Sequence, residues 1–276
     1  MSIPKNSTDN RQDLRDHALS RSVLYGALSL GLHHPTDAIF QKVQAIESQR
    51  AFLAAASFLT AYQHEPTAEE VNFLASDKSS ALVVHTHNWV QVIESFSIEQ
   101  WLDAHARLFG HTARGLVCPY ETEYGQQGIF AQPRQLSAVL GYYIAFGLTN
   151  CEQERERPDH ISCELEFMEF LARKEAYALE SNDEEMRAET RKAVRLFLKD
   201  HLGRFGRSFA RLLREQDPKS FHGKLGDVLL AFLSLECRLA GVEQGPSQLE
   251  LRPEEEDHVP MACEGQSDLV QLQAPK

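Results

Sequence analysis

The stretch Asp159-His-Ile-Ser-Cys-Glu-Leu-Glu-Phe-Met-Glu-Phe-Leu-Ala-Arg-Lys-Glu-Ala-Tyr-Ala-Leu179 decides the fold class. Ile161, Leu165, Met168, Ala172, Ala176 and Leu179 recur at steps of three and four, the period of one helical face. Glu166, Glu169, Arg173 and Glu180 take the opposite side. Asp159 stands where an N-cap would accept the first free N–H groups. The same period returns on both sides of this segment. Leu14, Ala18, Val23 (or Arg21), Tyr25, Leu28 and Leu32 approximate one face, and Ser97-Ile-Glu-Gln100 reads as a capping box ahead of Trp101, Leu102, Ala104, His105 and Leu108. Pro133 suits a first helical turn. Asn182 is expected to cap a helix through Met186, Thr190, Val194, Phe197 and His201. Asp217-Pro218 is expected to open a last one, running to a C-terminal Gly241. No Asn-Gly or Asp-Gly turn separates two alternating runs. The expectation is an all-α fold, a single helical-bundle-like domain of about ten helices.

Two segments break the rhythm. Residues 110–132 carry Gly115, Pro119, Gly125 and Gly128 with several aromatics, and residues 149–159 are charged and end in Pro158-Asp159. Loops this long inside a compact domain are usually functional or act as hinges. We therefore divide the chain into a helical domain over 10–242, with lobes 10–150 and 158–242 joined by a hinge at 149–159. After Gly241 the chain is acidic, rich in proline and without period, so 243–276 is expected to be a disordered tail.

The 276 residues carry a net charge of −12, of which −6 falls in that tail. An acidic surface excludes a phosphate-neutralising nucleic-acid interface. The N-terminus has no apolar secretory core. The longest apolar runs, 51–62 and 136–148, fall short of the roughly 20 residues that span a bilayer, so no stable membrane insertion is expected. Five widely spaced cysteines without a Cys-x-x-Cys fit reduced thiols in a cytoplasm.

Catalytic signatures are missing. Gly223-Lys224 lacks the rest of a phosphate loop, and no Gly-x-Ser-x-Gly or His-Glu-x-x-His occurs. Among twelve histidines, His33-His34 and His85-x-His87 lack the spacing of helical metal ligands, and Glu255-x-x-His258 occurs once where two such pairs are needed. No metal, cofactor or catalytic activity is expected. A helical metal-dependent hydrolase using Asp159 and His160 is the alternative from another class, and a non-catalytic helical scaffold is a third.

Three pieces in order carry a resemblance: Arg107-Leu-Phe-Gly110, Cys118-Pro-Tyr-Glu-Thr-Glu-Tyr-Gly125, and Arg157-Pro-Asp-His-Ile161 with Glu164-Leu-Glu-Phe-Met168. Over about Leu14 to Leu239 the chain resembles the TorD/DmsD/NarJ family of redox-enzyme maturation chaperones. The resemblance implies a cytoplasmic, all-helical, non-catalytic protein, monomer or dimer. Its partners would be an apo or immature molybdenum oxidoreductase subunit and that subunit's twin-arginine leader peptide. Such a chaperone assists cofactor insertion and delays export until the client is folded. The implied peptide-binding groups are Leu108, Phe109, Tyr120, Tyr124, Asp159 and His160. Glu121, Glu123 and Glu164 are added because a basic leader needs carboxylates that take guanidinium groups, beside apolar surface. Asp159 also reads as a cap, and the two tyrosines as pins for a long loop. The chain departs from the family pattern at Arg157, where many members carry proline.

Overall fold

A computed structural model describes residues 7–62, 79–110, 115–125, 131–149 and 156–252. Its spine is the helix read first from the sequence. Among the described residues ten α-helices follow in order. They are α1 (Ser7–Leu32), α2 (Asp37–Gln44), α3 (Ile46–Ala61), α4 (Ser79–Ser95), α5 (Ile98–Phe109), α6 (Ala131–Ala145), α7 (Ile161–Ser181), α8 (Glu184–Asp200), α9 (Leu202–Gln216) and α10 (Phe221–Leu239). Among the described residues one 3₁₀ turn, Glu121–Glu123, interrupts the series. The all-α expectation holds, and the only β pairings among the described residues are two isolated bridges.

The periodic face of α7 is buried from Ile161 to Leu179, and α1 lies along it as its most extensive partner. α3 packs on α1 and α4 in turn on α3, α8 packs on α7, and α9 and α10 pair with each other. α10 also crosses α4. One hydrophobic core therefore runs through the described helices, from Leu24 and Trp89 to Phe197 and Leu233. Around Phe221 it is aromatic: Trp101, Phe96 and Trp89 place their ring centroids 4.5, 5.4 and 5.7 Å away.

Helix ends follow local chemistry with three exceptions. The Ser97 capping box forms as expected. Asp183, not Asn182, caps α8, because Asn182 adopts the left-handed conformation that closes α7 (φ 57°). α10 opens at Phe221 rather than at Pro218. Asp217 still belongs to the end of α9 through its bond to the Leu213 carbonyl (3.1 Å), and residues 217–220 turn. Gly223 sits so close to that turn that a Cβ would lie 1.6 Å from the Asp217 oxygen. At the head of α7 the cap is His160, whose Nδ1 accepts from the Ser162 N–H at 3.2 Å. Asp159 is directed elsewhere.

The expected tail boundary at 243 also shifts. Residues 243–252 run back across α9: Gly245 N–H donates to the Gly203 carbonyl (3.2 Å) and Leu249 N–H to Ser208 Oγ (2.9 Å). Gly245 approaches so closely that a Cβ would lie 2.2 Å from the Arg204 oxygen. Backbone partners and the apolar contact of Leu249 hold this stretch where composition alone suggests none. Residues 253–276, and 150–155 of the expected hinge, lie outside the described residues.

Three helices are joined inside by a charge cluster. Arg21 of α1 donates from Nε to Glu236 of α10 (2.9 Å) and from Nη1 to Glu175 of α7 (2.7 Å), and Tyr25 Oη donates to Glu236 (2.7 Å). Burial disfavours the guanidinium's charge, but the two carboxylates outweigh it and hold the proton firmly. Arg21→Ala leaves two buried carboxylates without their cation and is expected to cost about 3–5 kcal/mol in urea denaturation. A loss below about 1 kcal/mol would show the cluster to be solvated.

His222 is fully buried, and neither ring nitrogen has a partner among the described residues. Burial first, then the fields of His105 and Arg107, push it down to about 3. The unfolded chain thus takes the proton first as pH falls. The stability owed to the neutral ring is intact above about pH 6.5 and is lost toward pH 3, at about 1.4 kcal/mol per pH unit. His222→Phe is expected to reduce the acid slope of unfolding free energy by about that amount between pH 6 and 4. An unchanged slope would show that the ring does not titrate with folding.

Candidate functional site

The site grows from the break after α5. Leu108 and Phe109 close that helix inside the core, and Phe109 stacks on Phe209 with ring centroids 6.4 Å apart. Gly110 turns the chain at φ 69°. On its return Gly115 passes directly over the helix end: a Cβ there would lie 2.4 Å from the Leu108 oxygen, so only glycine fits. Val117 N–H then donates to that same oxygen (2.9 Å), fixing the loop that follows.

That loop and the segment before α7 clasp each other. Tyr120 forms an antiparallel bridge with His160, flanked by Glu121 N–H to the Asp159 carbonyl and Ile161 N–H to the Pro119 carbonyl, both 2.9 Å. Tyr124 bridges Leu251, with Gly125 N–H donating to the Glu250 carbonyl (2.8 Å) and Arg252 N–H to the Glu123 carbonyl (2.9 Å). Three segments remote in sequence thus meet in one latch.

Asp159 is at its centre. Its carboxylate accepts from Thr122 N–H (3.2 Å) and Thr122 Oγ1 (2.8 Å), and from Arg157 at Nε (3.0 Å) and Nη2 (2.9 Å). It caps the 3₁₀ turn instead of its own helix. Glu121 points to the other side, where His201 Nδ1 lies 3.0 Å away and Arg204 Nη2 donates at 2.9 Å. Burial works against its charge, but His201 and Arg204 prevail and hold the carboxyl below its usual range. Glu123 accepts from Gln132 Nε2 (2.8 Å), with an Arg157 nitrogen 3.8 Å away.

The remaining expected residues complete the picture. Tyr124 Oη donates to the Cys118 carbonyl (2.7 Å). His160 is kept neutral, pushed down to about 3 by burial and then by the fields of His33, His105 and Arg157. Tyr120 stands edge-on to His160, half-buried, with the Arg157 guanidinium 4.4 Å over its ring. Glu164 is fully buried; burial, then the charges of Glu121 and Asp159, raise its carboxyl well above the usual range, so it keeps its proton.

Eight of the nine residues singled out from the sequence are therefore buried, and Tyr120 alone is partly open. Tyr120, Glu121, Glu123, Tyr124, Asp159 and His160 share the latch, and Glu164 lies within the field of its acids. Leu108 and Phe109 are core residues at its entrance. Sequence reasoning missed Thr122, Gln132, His201, Arg204 and the 249–252 strap. Arg157 stood out as a departure from a family pattern, without its role. Nothing local marks the others, since their partners lie up to 83 residues away.

Among the described residues no group of three or more His, Cys, Asp or Glu is placed to hold a metal ion, and no helix is long and apolar enough to cross a membrane. Because Glu164 is protonated in the folded protein and ionised when unfolded, it lowers stability as pH rises above its ordinary range. Glu164→Gln keeps the shape without the acid. Its melting temperature is expected to exceed that of the parent at pH 8, with the difference shrinking toward pH 5. A lower melting temperature at pH 8 would show a paired, ionised Glu164.

Comparison with protein families places residues 75–211 in the one described as nitrate reductase delta subunit. The span runs from before α4 into α9 and contains all nine residues. No curated protein matches the chain.

Proposed function

Because the chain belongs to the nitrate reductase delta subunit family, non-catalytic chaperones of molybdoenzyme maturation, we propose that it holds the immature catalytic subunit of a molybdenum oxidoreductase in the cytoplasm. In this reading it captures the client partly through a twin-arginine leader, assists cofactor insertion and delays export until the client has folded.

One observation carries the leader reading. The latch contains two buried carboxylates on hydrogen-bonded neighbouring backbones, Asp159 and Glu121, and each already holds an arginine of this chain. The carboxylates are 0 and 1% exposed, whereas Arg157 and Arg204 reach solvent at 33 and 24%. The guanidinium groups can therefore be exchanged from outside while the acids stay in place. A leader's consecutive arginines present the same two groups. In this proposal they displace Arg157 and Arg204, Tyr120 borders the entering peptide, and Tyr124 braces the loop from within. Glu123 adds attraction from beside them, and Leu108, Phe109, His160 and Glu164 support the latch from behind. The acidic surface speeds encounter with a basic leader.

Calorimetric titration of the full chain with a synthetic twin-arginine leader tests the exchange. Saturable binding is expected, weakened at least tenfold when both leader arginines are replaced by glutamine. Arg157→Gln removes an internal competitor held at high effective concentration, so the leader is expected to bind more tightly. A leader that binds equally well without its arginines, or an Arg157→Gln protein that keeps its fold with no gain in affinity, would overturn the exchange. Failure to bind any leader or immature client would overturn the chaperone reading itself.

A further inference from the structure

Away from the latch, a cleft of about 820 Å³ opens between α1, α7, α8 and the end of α10. We infer that it is a docking site for an extended acidic segment of a partner polypeptide, distinct from the basic leader discussed above.

The charge of this cleft opposes that of the molecule. Arg21, Arg187, Arg191, Lys192 and Arg195 line it against two carboxylates, Glu175 and Glu236, within a chain of net charge −12. The carboxylates are consumed at the floor by Arg21. His17, which also lines it, is neutral: burial and then Arg21 push it down to about 4. The uncompensated charge is along α8. Arg187, Arg191 and Arg195 follow at i, i+4 and i+8 on one face, and Lys199 continues the row. Like charges four residues apart disfavour a helix, and the charge here is answered only in part: Lys192 has Glu189 at 3.5 Å. Arg187 gives Nη1 to Glu184 (3.0 Å), but its buried Nε has no partner among the described residues. Arg191 has a carboxylate of Glu175 at 3.8 Å, and Arg195 pairs with no acid among the described residues.

The spacing selects the ligand. Residues four apart on a helix are displaced by about 6 Å along its axis. Alternate side chains of an extended strand repeat every 6.6 Å or so on one side. Over the two steps from Arg187 to Arg195 the mismatch is only about 1 Å, so carboxylates at every second residue of an extended peptide can each meet one arginine. A compact phosphate meets only one or two of these groups. Leu14, Leu196 and Leu239 give the peptide's other side chains an apolar wall.

Fluorescence anisotropy with a labelled (Glu-Ala)₅ peptide and the full chain tests the assignment. Saturable binding is expected, falling steeply with salt, with no binding of (Gln-Ala)₅. Arg191→Glu with Arg195→Glu is expected to weaken it at least tenfold. Should that pair unfold the protein by circular dichroism, Arg195→Gln alone is expected to weaken it two- to fivefold. Undiminished affinity in a folded variant would overturn the inference. So would pyrophosphate displacing the peptide at matched ionic strength with higher affinity, which would assign the cleft to a phosphate. Binding that emerges only after Glu254, Glu255, Glu256 and Asp257 are all changed to Gln would make this chain's own acidic run the occupant, and would overturn the assignment to a partner.

Discussion

A carboxylate removed from water must be met by donors, and the latch follows from how Asp159 meets that demand. Its oxygens are shared by Thr122 and Arg157. To reach both, the backbone before α7 must lie beside the loop after α5, which forms the Tyr120–His160 bridge. That bridge sets the 3₁₀ turn, and the turn sends Glu121 toward His201 and Arg204 at the junction of α8 and α9. Removing an acceptor of this kind strands several donors together, which is why such networks respond as units rather than as pairs. Glu164 marks the limit of the arrangement. The surrounding negative charge leaves no room for another ionised acid, and it remains neutral.

The helices were legible because their signal is local. The three-and-four spacing of Ile161 to Leu179, and the Ser97–Gln100 box, need no knowledge of the rest of the chain. The misread ends share a physical cause. Asp159, Asn182 and Asp217 are all good local caps, and each is used otherwise because of a contact or backbone conformation that the local sequence does not display. Asp159 serves a turn 37 residues earlier, Asn182 a left-handed C-cap, and Asp217 the end of α9. The same reasoning explains the site. The loop, the Asp-His-Ile segment and the acids were visible as residue types. That the acids would be answered from within was not, since His201 read only as the last periodic residue of a helix and Arg204 carried no signal of its own.

The chain also separates two electrostatic surfaces along a single helix. Near its end α8 delivers His201 to a carboxylate-rich latch, while its body carries the arginine row. A rigid helix keeps such regions apart without a domain boundary. This matters for a molecule read as meeting both a basic leader and an acidic segment: opposite charges brought to one place would neutralise each other first.

The strap over α9 has a consequence for synthesis. Leu251 and Arg252 complete the latch, yet the loop and the acids they join were made more than a hundred residues earlier. On a ribosome, α1 to α9 can pack as they emerge, but the last edge of the loop stays unpaired until residue 252 is free. A chain halted before that point would carry all ten described helices and an unfinished clasp. Completion of the site therefore doubles as a record that the polypeptide has been read through to its final described turn.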